Sequence, residues 1–239
     1  TIRTLDIGAD KELPCLDQAI EDNPALGMRG LRYTLKHPEI LQTQLRAVLR
    51  AANHGPVRLM LPMVNQVEEL DAVLDMLEHC KQQLSEAEKG YGDISLGIVV
   101  ETPAAVMNLP TLLPKLDFIS IGTNDLTQYA MAADRTNPEL TRDYPSFSPA
   151  ILRLIAMTIA DAKAAGIRVS LCGELAGDPR IAPILMGMGL DELSVNPGSV
   201  LEVKAALCEG NFSQFAKQAQ KALTCTRLSE LTSLISLCH

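Results

Sequence analysis

The sequence predicts an α/β fold, a barrel of parallel strands with helices outside, and three observations carry that prediction. Short apolar runs alternate with longer stretches of helical periodicity, the pattern of strand–helix units in a parallel sheet. The runs are near-continuously hydrophobic, as strands buried on both faces are. Several end abruptly in polar groups: residues 95–100 run into Glu101-Thr102-Pro103, 118–121 into Gly122-Thr123-Asn124-Asp125, and 169–171 into Cys172-Gly173-Glu174. In such a barrel the chemistry sits at the C-terminal strand ends, so residues far apart in sequence meet at one mouth.

Residues 1–7 read as a first strand and 10–22 as a polar loop segment. Residues 23–30, Asn-Pro-Ala-Leu-Gly-Met-Arg-Gly, carry Gly/Pro punctuation around a second, short strand. Over 38–53, Ile40, Leu41, Leu45, Val48 and Leu49 recur at helical spacing, and Gly55-Pro56 stops that helix. A strand over 58–63 and an amphipathic helix over 67–86 follow. Residues 96–101 read as strand, 103–113 as helix, and 118–122 as strand. A helix over 149–165 is closed by Gly166. Then come a strand over 168–172, a helix over 180–188 ending near Gly189, and a last strand over 192–195. Helices over 200–209 and 212–224 complete the reading. This is a count of seven strands; eight would close a (β/α)8 TIM barrel. The chain starts without Met and already inside a strand, so the expectation is a fragment lacking its first strand. No linker or low-complexity tract divides it, and residues 1–239 are expected to form one domain.

The chain has 239 residues, close to the ~250 typical of one such barrel. Its hydrophobic fraction is 47% but aromatics are only 3%, with no Trp, so the core is one of Leu, Ile, Val, Ala and Met. So few aromatics argue against a base-stacking nucleic-acid surface. The net charge of −8 argues against a polyanion or an acidic membrane as partner. Any phosphate substrate would need a local cluster of Arg or a metal. The six Cys are scattered at 15, 80, 172, 208, 225 and 238, with no C-x-x-C pair, which suggests neither a zinc site nor a disulfide framework. A reducing cytoplasm fits that usage. No signal peptide is expected, and the given sequence has no apolar stretch of ~18 residues for membrane insertion.

Glu101 and Asp125 follow apolar runs and would project into the mouth. Hard oxygen ligands of this kind suit Mg²⁺, which takes one or two carboxylates plus substrate oxygens. Asp125 could instead cap a segment starting at Leu126. Arg3 lies in a strand otherwise too apolar for a charge, Arg29 stands near glycines, and Arg135 follows Asp134 in a loop. Guanidinium forks match phosphate or carboxylate oxygens, although any one of the three, alone, reads as well as a surface Arg or a partner of a local acid. Cys172 could be a nucleophile, a proton donor or a small buried hydrophobe. None of the four His (37, 54, 79 and 239) has a phosphoacceptor context. These signals alone describe a metal-dependent α/β-barrel enzyme acting on a small anion.

The wording of the motifs is more specific. Ile2-Arg3-Thr4-Leu5-Asp6-Ile7-Gly8-Ala9-Asp10-Lys11-Glu12-Leu13-Pro14 resembles the second strand of the phosphoenolpyruvate-binding domain of enzyme I, the phosphoenolpyruvate–protein phosphotransferase of the bacterial sugar phosphotransferase system. Asn23-Pro24-Ala25-Leu26-Gly27-Met28-Arg29-Gly30-Leu31-Arg32 resembles its next motif. The stretches 97–105, 117–129, 172–178 and 187–192 are similar to further ones, so the resemblance covers nearly the whole chain. It implies a (β/α)8 barrel of the phosphoenolpyruvate-binding type. It implies that Arg3 contacts the substrate phosphate, that Arg29 and Arg135 bind substrate anionic groups, and that Asn124 lines the site. Glu101 and Asp125 would hold Mg²⁺, and Cys172 would protonate the enolate. The implied partners are phosphoenolpyruvate, a phosphoacceptor His domain, an HPr-like carrier protein and a second copy of the domain in a homodimer.

Two departures accompany the resemblance. The family's first-strand motif with its own phosphate-binding Arg is absent from this sequence, and so is the His domain. Met28 replaces a bulkier residue common in relatives. Leu175-Ala176 after Cys172-Gly173-Glu174 favours the protein phosphotransferase branch over the related dikinases and synthases. Two rivals stand beside this reading: a non-catalytic dimerisation or phosphoenolpyruvate-sensing module, and an aldolase-like or mutase-like barrel, which would not need the Cys motif.

Overall fold

Twelve prolines and glycines between residues 23 and 110 set many of the element boundaries. The computed structural model describes residues 1–7 and 21–236. Most of the expected loop over 10–22, the motif residues 8–14, Cys15, Cys238 and His239 lie outside the described residues. The described chain divides into two compact units, residues 1–99 with 114–118, and residues 100–113 with 119–239.

In the first unit, β1 (Ile2–Arg3) pairs in parallel with β2 (Val57–Leu61), Ile2 opposite Leu59 and Arg3 opposite Met60. The strand expected over 1–7 is cut short because its amides turn elsewhere. Thr4 N–H still donates to Met60 O, but Leu5 N–H donates to Gln44 Oε1. The second short strand expected over 23–30 is not formed. Pro24–Leu26 is a single 3-10 turn, with Pro24 pre-set at its first position, and the Glu21 carboxylate accepts from the Met28 N–H at 2.9 Å. Arg29 is the extended residue before α1 (Gly30–Lys36). Then α2 (Pro38–Ala52) packs Leu41, Leu45, Val48 and Leu49 inward, as its spacing predicts. After β2 comes α3 (Val67–Glu86), whose Glu69 carboxylate accepts from the Gln66 N–H at its start. Next, β3 (Ile94–Val100) runs parallel to β2, Leu59 opposite Leu96.

In the second unit, α4 (Pro103–Leu112) is capped by Thr102, whose hydroxyl accepts from the Ala105 N–H. After β4 (Phe118–Gly122), α5 (Thr123–Met131) starts with no intervening loop. Neither α5 nor α6 (Pro138–Asp143) was expected from the pattern. The chain continues through α7 (Pro149–Ala164), β5 (Arg168–Cys172), α8 (Ala182–Gly187) and β6 (Glu192–Leu193), with β6 parallel to β5. It ends in α9 (Val200–Cys208), α10 (Phe212–Thr224) and an unexpected α11 (Leu228–Ser236).

The strand order is β1-β2-β3-β4-β5-β6, six strands among the described residues where seven were expected. The fold is α/β with a parallel sheet in sequence order, as the alternation predicts. No helix among the described residues is long and apolar enough to cross a membrane.

Candidate active site

Of the polar groups that end the apolar runs, Cys172 ends a strand and Glu101 follows one, and the backbone of the second unit brings several of these groups together. Cys172 is the last residue of β5. Its Sγ donates to the Ile121 carbonyl oxygen of β4 at 3.4 Å, and its own carbonyl accepts from the Thr123 hydroxyl at 3.0 Å. Gly173 follows with φ +103°, and a Cβ there would run into the Thr123 hydroxyl and the Asn124 amide oxygen. A residue without a side chain is therefore required where β5 meets the first turn of α5. Asn124 fastens the same junction, its Oδ1 accepting from the Glu174 N–H at 3.2 Å.

Asp125 is not a strand end but the third residue of α5, in its first turn, where a carboxylate favours the helix N-terminus. It is buried, and its Oδ2 accepts from Arg135 Nη1 at 3.2 Å. Arg135 is placed by a residue the sequence reading missed: Gln128, nearly buried on α5, accepts from the Arg135 N–H at 3.0 Å. Glu101, 2% exposed, immediately follows β3 and precedes the Thr102 cap of α4. Both carboxylates therefore have almost no exposure. A buried carboxylate is costly unless a cation or hydrogen bonds compensate it.

In the first unit, Arg29 is 3% exposed. Its Nε and Nη2 donate to the two oxygens of Asp6 at 3.4 and 3.1 Å. Arg3 Nη1 stands 3.6 Å from the same carboxylate. The pairing of Asp6 with Arg29 is not read from the sequence, because the two lie 23 residues apart and only the fold joins them.

Cys80 on α3 is buried, and that burial pushes its thiol up from its ordinary value despite the opposing Arg46 charge. Among the described residues, no three His, Cys, Asp or Glu side chains are grouped to hold a metal by themselves. The donor set still suits a hard cation that takes two carboxylates and completes its shell with substrate oxygens.

Residues 1–212 match the family described as PEP-utilising enzyme, PEP-binding domain. The chain belongs to that family. It is 47% identical over 207 residues to a phosphoenolpyruvate-protein phosphotransferase of Cupriavidus necator, covering 85% of this chain and 35% of that protein. It is 44% identical over 234 residues to a phosphoenolpyruvate-protein phosphotransferase of Mycoplasma pneumoniae, covering 98% and 40%. A multiphosphoryl transfer protein of Rhodobacter capsulatus is 45% identical over 233 residues, covering 98% and 28%. The chain thus spans well under half the length of these relatives. Among solved structures, a citrate lyase from Burkholderia xenovorans superposes with a TM-score of 0.54 at 19% identity, covering 85% of this chain and 69% of that one. A malate synthase of Haloferax volcanii gives 0.51 at 18% identity, covering 71% and 51%. These two likenesses are of fold.

Proposed function

We propose that this chain is the phosphoenolpyruvate-binding part of a phosphoenolpyruvate–protein phosphotransferase, with residues 1–239 acting as one domain. The observation that carries the reading is the Cys172 thiol. It is the protonated form that can donate to the Ile121 carbonyl, and it does so beside Asn124 at a junction that also carries Asp125 and Arg135. A thiol held with its proton is a general acid rather than a nucleophile.

Phosphoenolpyruvate presents a phosphate and a carboxylate on one small frame, so it needs concentrated positive charge in a chain of net charge −8. Glu101 and Asp125 would hold Mg²⁺, which when bound supplies neutralising charge for the phosphate and carboxylate oxygens. Arg135, anchored by Asp125 and Gln128, offers a guanidinium to a substrate anion, and Asn124 lines the pocket. Arg3 takes phosphate oxygens, and Arg29 other anionic groups. The phosphoryl group leaves for a His of a separate phosphoacceptor domain, and from there passes to an HPr-like carrier, in the service of sugar uptake and phosphorylation. As the P–O bond breaks, its electron pair stays with the enolate. Cys172 then gives its proton to the methylene carbon, which becomes the methyl group of pyruvate and leaves the thiolate behind. The setting is the cytoplasm, and the domain pairs with a second copy of itself.

Calorimetric titration of phosphoenolpyruvate with and without Mg²⁺ tests the assignment. The chain is expected to bind only with the metal, Asp125→Ala to lose that metal-dependent binding, and Cys172→Ala to retain it. In the full-length protein Cys172→Ala is expected to lose steady-state turnover by at least ~100-fold, the usual contribution of a positioned acid. Metal-independent binding, or turnover of Cys172→Ala near wild type, would overturn it.

A further inference from the structure

Two arginines of the first unit, Arg3 and Arg29, share one carboxylate, and nothing in the proposed chemistry uses it. The Asp6 side chain is 3% exposed, so water cannot satisfy it. Both of its oxygens are committed to Arg29, and one of them also lies within ion-pair range of Arg3. Guanidinium–carboxylate contact along the Nε–Nη2 edge is a two-point contact that fixes the plane of the guanidinium as well as its position. The neighbouring backbone is arranged for it. The amides of Thr4 and Leu5 are tied to Met60 and Gln44, which holds the chain on the way to Asp6. On the other side Gly30 takes φ +55°, and a Cβ there would stand 3.2 Å from Asp6 Oδ1 and against the Met63 side chain. Glycine clears the space through which the carboxylate meets Arg29.

We infer that Asp6 is a positioning residue, holding Arg3 and Arg29 at fixed spacing and orientation to receive the oxygens of a small phosphorylated carboxylic acid. The inference rests on the reading of Arg3 and Arg29 given above. Two guanidinium groups gathered on one carboxylate leave a net single positive charge. They hold their geometry before a ligand arrives, so binding does not have to order them. A merely structural role, with the ion pair only fastening the start of α1 to the chain after β1, would affect folding and leave affinity alone.

The test is the affinity of this chain for phosphoenolpyruvate with Mg²⁺, measured by calorimetry alongside thermal unfolding, in Asp6→Asn and Asp6→Glu. Asp6→Asn keeps the shape but turns an N–H group toward a guanidinium. Asp6→Glu keeps the charge and the pairing but displaces the carboxylate. Both are expected to weaken binding by about tenfold, the lower end of what is lost when groups that orient metal ligands are removed. Asp6→Glu serves should the uncharged variant fail to fold. A double-mutant cycle with Arg29→Lys is expected to be non-additive, the pair losing less than the product of the single losses. Wild-type affinity in a folded Asp6→Asn or Asp6→Glu variant, or an additive cycle, would sink the inference while leaving the function standing. A wild-type chain that does not bind phosphoenolpyruvate with Mg²⁺ would remove the function itself, and this inference with it.

Discussion

Gly173 is where a single hydrogen atom decides the geometry beside Cys172. The left-handed φ of this residue and the closeness of Thr123 and Asn124 leave no space for a methyl group. Gly173→Ala is therefore expected to cost about 1–3 kcal/mol, the range for a residue forced into a sparsely populated backbone region. It should also shift the Cys172 carbonyl off the Thr123 hydroxyl. Chemical denaturation of the variant against the wild type checks the first expectation; an unchanged midpoint would show that the turn relaxes freely. At this scale the sequence names the chemistry-bearing residues but not their neighbours. Cys172 and Asp125 are legible from motif wording, and Arg135 from its place in the motif order. The contacts of Asp6 and Thr123 are not legible, because they join segments whose approach only the fold determines, 49 residues apart for Thr123 and Cys172.

Elements with clean periodicity were read to the residue: α3, β4, β5 and α10 begin and end where the pattern changes. The misreadings have physical causes. The start of α5 follows β4 directly, so Thr123-Asn124-Asp125 looks like a strand end rather than a first helical turn. Residues 23–30 look like a punctuated strand, but the proline favours the turn it opens. The junction of β5 with the chain before β6 supports a prediction of its own. Burial works against ionisation of Asp191. The Lys163 ammonium at 2.7 Å and the Val169 N–H at 2.9 Å outweigh it and hold the carboxyl below its ordinary value. A carboxylate with a lowered folded-state pKa stabilises the fold above its unfolded pKa of ~3.9, and that contribution disappears as pH falls through the folded value. Asp191→Asn should therefore be less stable than wild type at pH 7, and the gap should close below pH ~3.9. Urea midpoints at the two pH values measure it, and a gap that persists in acid would show that the charge is not the cause.

For the whole molecule, the alternation of apolar runs and amphipathic stretches was enough to foresee a parallel sheet in sequence order. The division into two compact units was not foreseeable. Its borders fall inside β3 and between residues 113 and 119, where no linker or change in composition marks them. The proposed ligand should act on the molecule as a whole through mass action. A ligand that binds only the folded form at a hundred times its Kd adds about 2.7 kcal/mol of stability. Phosphoenolpyruvate with Mg²⁺ should therefore raise the thermal midpoint, and phosphoenolpyruvate with a chelator should not. Equal midpoints under both conditions would separate the ligand from the metal.

The carbonyl oxygen that faces Cys172 has one more consequence, for chemical durability. Alkylating agents and peroxides attack thiolates, and a sulfur that keeps its hydrogen directed at Ile121 is a poor target for both. If Cys172 is the proton donor proposed above, the hydrogen bond that readies its proton also slows attack on the sulfur until that proton is given up.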